Sequence, residues 1–227
     1  MAVRGLRMRG KVRSTVNGVF AKWWMSDSEV GSVKRKFYKL LQKRYLFNSW
    51  HVEPINFRPY AMEIVLMTER YINQKNIRCV MEVGCGLGDI IGNIKVSKRN
   101  CKKIGIDKEH NVINAAKVLH PSVIFLQGSF DNCVSREESC LIMVNFIHRI
   151  PYDELKQEMQ KVFLKSNVNL VVMDTFSRNE NTVYEYSHHG KELFDGKYRC
   201  IRRSRGFAAA NGARRYIEYW EKIEKRS

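Results

Sequence analysis

The ten residues Val80-Met81-Glu82-Val83-Gly84-Cys85-Gly86-Leu87-Gly88-Asp89 decide how this chain folds. A short apolar run contains an acid near its end, three glycines alternate with larger residues, and helix-compatible sequence follows. The spacing predicts a strand over 78–83, a turn over 84–88 and a helix over 89–96. Glycines permit a tight turn and let a ligand approach the backbone with no Cβ in the way. The helix start beyond them offers unpaired N–H groups and a positive dipole end to a negatively charged group.

The alternation continues on the carboxyl side. Strands are expected over 103–106, 123–126, 141–145 and 169–173, with helices over 112–119 and 152–163. Leu155, Met159 and Phe163 share one face of the last helix. Repeated strand–helix alternation implies an α/β fold with a parallel sheet covered on both faces. Beyond Asp174 the pattern changes. Residues 198–203 and 215–220 read as strands joined by the Gly/Ala-rich stretch 206–212, an antiparallel hairpin that closes the sheet.

On the amino side, Pro59 suits the first turn of a helix carrying Ile64, Met67 and Tyr71. Two prolines keep 50–59 from forming one helix. A further helix is expected over 32–47, with Val33, Phe37, Leu40 and Leu41 on its apolar stripe. Residues 1–33 are expected to be weakly structured, because Gly5, Gly10, Gly18 and Gly31 interrupt them. Val19, Phe20, Trp23, Trp24 and Met25 are the apolar exception there, suited to docking on the core or to a membrane interface.

Two cofactor classes use such a glycine turn. A dinucleotide site needs G-x-G-x-x-G, and the third glycine place falls on Asp89 counting from Gly84 and on Ile91 counting from Gly86. The observed E-x-G-x-G-x-G instead resembles motif I of the class I S-adenosylmethionine-dependent methyltransferases. The resemblance covers roughly residues 60–220. It implies a three-layer Rossmann-like sheet, mostly parallel with a C-terminal antiparallel hairpin. Residues 59–227 would form the methyltransferase domain and residues 1–58 a basic, partly helical extension or lid. It also implies S-adenosylmethionine as cofactor, contacted by Glu82, Gly84, Cys85, Gly86 and Gly88. Asp107 ends the next strand and matches the ribose ligand; a carboxylate is acceptor-only and takes two O–H donors at once. Gly128, Ser129 and Phe130 match the adenine loop, Ser129 or Gln127 toward the base edge and Phe130 on its face, with Ser129 standing where the family usually has Asp. Asn145 and the following Phe146-Ile147-His148 match the loop facing the transferred methyl.

Methyl transfer from a sulfonium is an in-line displacement. The protein positions the acceptor and, for a hydroxyl, removes its proton. Enzymes acting on exocyclic amines of bases carry N-P-P-Y after strand four, and here the text is Asn145-Phe146-Ile147-His148. Cytosine C5 enzymes need a cysteine there, and Cys140 begins the strand instead. For the Lys-Asp-Lys-Glu type of ribose enzyme, Asn145 stands in place of Asp and no Lys follows Asp174. Metal-dependent catechol types need clustered acids, and only Asp174 qualifies. What remains is a hydroxyl or amine of a sugar, glycan or other small polar acceptor, with histidine as base. His148 is the first catalytic candidate, His51 the second, and Asp174 completes the set. His188 and His189 adjoin without further ligand spacing, so no metal is expected. Two alternatives stay open: an RNA methyltransferase, and a non-catalytic S-adenosylmethionine-binding subunit, for which a broken motif I is expected.

Charge locates rather than names the partner. The 227 residues carry a net +17. Residues 1–50 hold 12 Lys/Arg against 2 Asp/Glu, residues 191–227 hold 11 against 5, and the residues between hold 17 against 16. A neutral core with two basic flanks excludes a uniformly basic packing protein and suits contact with an anionic membrane surface, a glycan or RNA phosphates. No apolar run approaches the roughly 20 residues that span a bilayer. The six cysteines contain no C-x-x-C pair and read as reduced thiols, which sets the expected location as cytoplasmic. Membrane association is one use of the flanks. The acid-free first 26 residues also fit a mitochondrial transit peptide.

Overall fold

A computed structural model describes residues 26–96, 100–177, 185–194, 196–209 and 213–224. The patch Val19–Met25 and the candidate transit segment lie outside them.

Helix α1 (Asp27–Tyr45) starts earlier than the sequence pattern predicts. Ser26 and Glu29 form a capping box, the Glu29 N–H donating to the Ser26 hydroxyl and the Ser26 N–H to the Glu29 carboxylate. Gly31 does not interrupt the helix. It is buried, and a Cβ there would stand 2.7 Å from the Phe57 ring. The glycine is a packing contact, not a stop. Tyr38 and Leu41 share its buried face, whereas Leu40, expected on the apolar stripe, is exposed. Two short 3-10 turns, Ser49–Val52 and Ile55–Phe57, carry the proline-containing stretch. Helix α2 (Pro59–Gln74) follows, with proline in its first turn.

The sheet strands are β1 (Cys79–Val83), β2 (Lys102–Asp107), β3 (Ile124–Gln127), β4 (Ser139–Met143), β5 (Val168–Phe176), β6 (Tyr198–Arg203), β7 (Phe207–Ala208) and β8 (Arg214–Lys222). Helices α3 (Asp89–Asn93), α4 (His110–Leu119), α5 (Tyr152–Lys165) and α6 (Gly190–Leu193) connect them. The spatial order is β3-β2-β1-β4-β5-β8-β6, with β7 beside β8. The first five strands of that order run parallel, and β8 inserts antiparallel between β5 and β6. The expected mostly parallel sheet with a C-terminal antiparallel pair is what forms. Helix α3 is one short turn and a half of the segment expected to reach residue 96.

Successive strand residues face opposite sides. Val80, Cys140, Ile142, Leu170 and Val172 pack under α2, α3 and α4, while Met81, Leu141, Met143, Val171 and Met173 pack under α5 and α6. Burial on both faces explains why these strands read as continuous apolar runs. The extension shares in the core: Tyr38, Leu41 and Phe47 pack with Leu87, Val112, Ala115 and Leu119. Each buried Leu, Val or Phe among them contributes about 1.5–3 kcal/mol, so α1 is held on the domain beside the glycine turn. Among the described residues no helix is long and apolar enough to cross a membrane.

Candidate active site

In an open parallel sheet the ligand crevice lies past the carboxyl ends of the strands, where the strand order reverses. Here the reversal falls between β1 and β4. The glycine turn leaves β1 and Asn145 lies just beyond β4, so both motifs meet at that point. Gly84, Gly86 and Gly88 have φ of 65°, 54° and 75°, a left-handed geometry that side chains rarely adopt. A Cβ at Gly86 would stand 2.9 Å from His51 Nδ1, and one at Gly84 would fall on the Phe146 ring. The turn is therefore a bare-backbone cradle with His51 on one side and Phe146 on another. A surface groove of about 560 Å³ lined by Tyr71, Lys75, Asn169 and Glu221 lies at the opposite, amino-terminal end of the strands, away from this crevice.

Three acids surround the cradle. Glu82 is buried within β1 and accepts the Ile91 N–H at 2.9 Å, tying strand to helix α3. Burial pushes its carboxyl up to about 8, against the lowering effects of the Ile91 amide and Arg58. The folded protein thus holds this proton after the unfolded chain has released it, and Glu82 costs stability as pH rises from about 4.5 to about 8. Glu82→Gln keeps an acceptor for Ile91 and removes that cost. Thermal melts are expected to show the variant matching wild type near pH 5 and melting higher near pH 8; equal curves at both pH values would refute the assignment.

Asp89 opens α3. Its Oδ1 accepts from the Tyr38 hydroxyl and its Oδ2 from Arg58 Nη2, both at 2.5 Å. Tyr38 lies on α1 and Arg58 immediately precedes α2, so one carboxylate clamps the extension to the cradle. Burial and the Asp89 charge hold the Tyr38 phenol well above its ordinary range, keeping it a donor. Asp107 is half-buried at the end of β2. Its Oδ2 accepts the Gly86 N–H at 2.9 Å and its Oδ1 the Glu109 N–H at 3.0 Å. Two oxygens offer about four acceptor positions, so capacity remains for two hydroxyls.

Across the crevice, Asn145 has φ 72° and ψ −54°, and the Phe146 N–H donates back to the Val144 carbonyl at 3.0 Å. This is a γ-turn of the strained kind, rare for a residue with a side chain. Three neighbours hold it. The Asn145 N–H donates to Asp174 Oδ1 at 3.0 Å, and the Asn145 side-chain oxygen accepts from Arg215 Nη1 at 2.5 Å and the Tyr60 hydroxyl at 3.3 Å. Arg215 lies over the Tyr60 and Phe176 rings at 4.3 and 5.2 Å and pairs with Asp174 Oδ2 at 3.4 Å. Burial pushes the Asp174 carboxyl up, but His148, Arg215 and the Asn145 amide more than offset it and hold it below its ordinary range.

The predicted residues divide between two tasks. Gly84, Gly86, Gly88 and Asp107 meet in one cradle, and Asn145 and Phe146 face it. His148 and Asp174 are brought together, yet neither is presented to a ligand: both are 0 % exposed. His148 Nε2 faces Asp174 Oδ1 and its Nδ1 faces the Tyr186 carbonyl, each at 3.1 Å. With an acceptor at each ring nitrogen, no lone pair is offered to a substrate hydroxyl, which corrects its assignment as the base. His51 lies at the cradle, with its Nε2 3.0 Å from Trp50 Nε1 and 3.5 Å from Glu109 Oε1. Phe130 is not an adenine platform. It is buried in the core against Phe146, with ring centroids 5.7 Å apart. The Cys85 side chain is likewise buried, leaving only its backbone to the cradle. Gly128 bonds the Asp107 carbonyl and Ser129 caps the 3-10 turn Phe130–Asn132. Glu82 supports the cradle from below. Among the described residues no group of three His, Cys, Asp or Glu is placed to hold a metal; His188 donates from Nε2 to the Ile147 and Ile150 carbonyls.

Tyr38, Arg58, Tyr60, Asp89 and Arg215 brace the crevice, and pattern reading gave none of them a role there. Asp89 counted only as a missing glycine, and Arg215 only as part of a basic flank.

No protein-family model and no curated protein sequence matches this chain. Solved structures do. The crystal structure of magnesium protoporphyrin IX methyltransferase (ChlM) from Synechocystis PCC 6803 with bound S-adenosylhomocysteine superposes with a TM-score of 0.60 at 10 % identity, covering 87 % of this chain and 100 % of that one. TehB from Haemophilus influenzae gives 0.54 at 11 % identity over 70 % of this chain and 61 % of that one. The methyltransferase domain of bacterial CtHen1 gives 0.51 at 12 % identity over 70 % and 96 %.

The fold is that of the class I S-adenosylmethionine-dependent methyltransferases.

In a methyltransferase fold the groups at the crevice have a natural assignment. The glycines lack a Cβ, so His51 and Phe146 pack directly on the turn, and Asp107 retains acceptor capacity beside it, which fits a ribose-bearing cofactor. The Phe146 ring supplies an apolar wall and the His51 imidazole a polar one.

Proposed function

We propose that this protein is an S-adenosylmethionine-dependent methyltransferase acting on a hydroxyl or amine of a small polar acceptor, of the sugar or glycan class. The observation that carries the reading is the juxtaposition of the left-handed glycine cradle with Asp107 at the strand-order reversal. The cofactor, when bound, supplies an activated methyl group on a sulfonium. The chain's own residues hold and orient. Asp107 is suited to the ribose hydroxyls and the Gly84–Gly88 backbone to close approach.

On the acceptor side, Arg215 and Tyr60 both donate to the Asn145 side-chain oxygen. That fixes the amide's orientation and leaves its Nδ2 donor to an acceptor oxygen. Orientation of this kind lowers a displacement barrier by converting a bimolecular encounter into a positioned one. His148 has both ring nitrogens facing oxygen acceptors and His51 has its Nε2 against Trp50, which favours, within the sugar and small polar class, an amine that loses its proton with little help over a hydroxyl.

The test is transfer of labelled methyl from S-adenosylmethionine into cell extract divided into small-molecule, lipid-linked glycan, protein and RNA fractions. Label is expected in the small-molecule or glycan fraction. Label confined to RNA would replace the acceptor class. Tight S-adenosylhomocysteine binding with no transfer to any fraction would favour a non-catalytic subunit.

A further inference from the structure

Helix α1 buries Gly31, Tyr38 and Leu41 against the domain and turns its opposite face outward. On a soluble helix that face is ordinarily polar. Here Leu40 stands on it at 63 % exposure. Lys36 and Arg44 lie four residues to either side of Leu40, Lys43 three residues beyond and Lys39 next to it, all exposed. Positions three and four apart are neighbours on a helix surface, so cations ring the leucine. Leu46 ends the helix in a left-handed conformation at 79 % exposure, and Trp50 in the next turn is 62 % exposed. Between Val30 and Val52 the sequence contains no Asp or Glu.

We propose that this face docks on an anionic lipid surface. Leu40 set among lysines, with Leu46 and Trp50 exposed at and just beyond the helix end, gains twice there, the apolar groups by leaving water and the cations by meeting anionic headgroups. Long lysine stems let their charges stay at headgroup level while the leucine sinks. A nucleic-acid backbone would use the lysines but offers exposed leucines no comparable gain, so charge and apolar character together select the membrane. The same segment holds His51 against Gly86, so docking would bring the cofactor cradle's covering element to the bilayer. The binding itself stands apart from any catalytic reading.

The experiment is co-sedimentation of the full chain with vesicles of phosphatidylcholine alone or with about one-third phosphatidylserine at near-physiological salt. Binding is expected only to the mixed vesicles. Leu40→Ser with Leu46→Ser should lower it about tenfold, and Lys39→Glu with Lys43→Glu by more than tenfold, with thermal melts unchanged because all four side chains are exposed. Binding that ignores both pairs would overturn the proposal, since other basic residues would then carry it. A short RNA duplex that displaces the protein from vesicles, and whose binding falls in the lysine pair but not the leucine pair, would reassign the face to nucleic acid. Loss of a dimer in the leucine pair with vesicle binding intact would assign it to a second copy.

Discussion

Asp107→Ala is expected to weaken S-adenosylhomocysteine binding by roughly two to three orders of magnitude, read by calorimetry. The figure takes the lower part of the range for losing two hydrogen bonds to a charged acceptor, about 1.5–3 kcal/mol each, because the half-buried site leaves water to replace part of them. The same carboxylate accepts the Gly86 and Glu109 amides, so removing it also loosens the cradle. Asp107→Asn should do little better. Its NH₂ must face one of those two backbone donors, and two donors repel. Because Asp107 is only half-buried, the loss in melting temperature should be small beside the loss in affinity. Wild-type affinity retained by a folded Asp107→Ala would remove this residue from the cofactor site. A folded wild type that binds neither the cofactor nor its demethylated product would sink the cofactor assignment as a whole.

The order of strands and helices was legible because burial on both faces of a parallel sheet writes itself as apolar runs such as Leu141-Ile142-Met143 and Leu170-Val171-Val172-Met173. The glycine cradle was legible for a similar reason, since left-handed φ at alternate positions demands a residue without a Cβ. Side-chain direction in the loops was not. Whether Phe130 meets a ligand or the core depends on the backbone path after Gly128, and it turns inward to meet Phe146. His148 is carried inward by the γ-turn at Asn145, which no propensity predicts because Asn pays for it through tertiary partners 29 and 70 residues away. Gly31 reads locally as a breaker, and only the Phe57 ring explains why a helix tolerates it there. The +17 charge shows the same limit. Counting placed Arg215 in a basic flank for an outside partner, whereas it is buried and committed to Asp174, Asn145 and Tyr60.

Asp174→Ala is expected to cost about 3–5 kcal/mol of folding stability in denaturant titrations and to abolish methyl transfer. The carboxylate lies fully buried between His148 and Arg215. Its removal leaves polar and cationic groups with no compensating charge, which is costlier than never having buried them. It also removes the acceptor of the Asn145 N–H, and a strained γ-turn worth about 1–3 kcal/mol then has less to hold it. The transfer loss should therefore exceed what a lower folded fraction explains, with kcat falling in protein still folded at the assay temperature. Pairing supplies the control. Arg215→Met alone should destabilise, and Asp174→Asn with Arg215→Met should cost less than the two single changes added together. Additive costs would mean that the 3.4 Å pair contributes nothing. The sign in pH is fixed as well. The folded carboxyl is held below its ordinary 3.8, so its contribution is complete above that value and is lost as pH falls through the lower folded value. Wild type and Asp174→Asn should thus differ most at neutral pH and converge in acid, and a gap that widens in acid would show that His148 and Arg215 do not stabilise the ionised form.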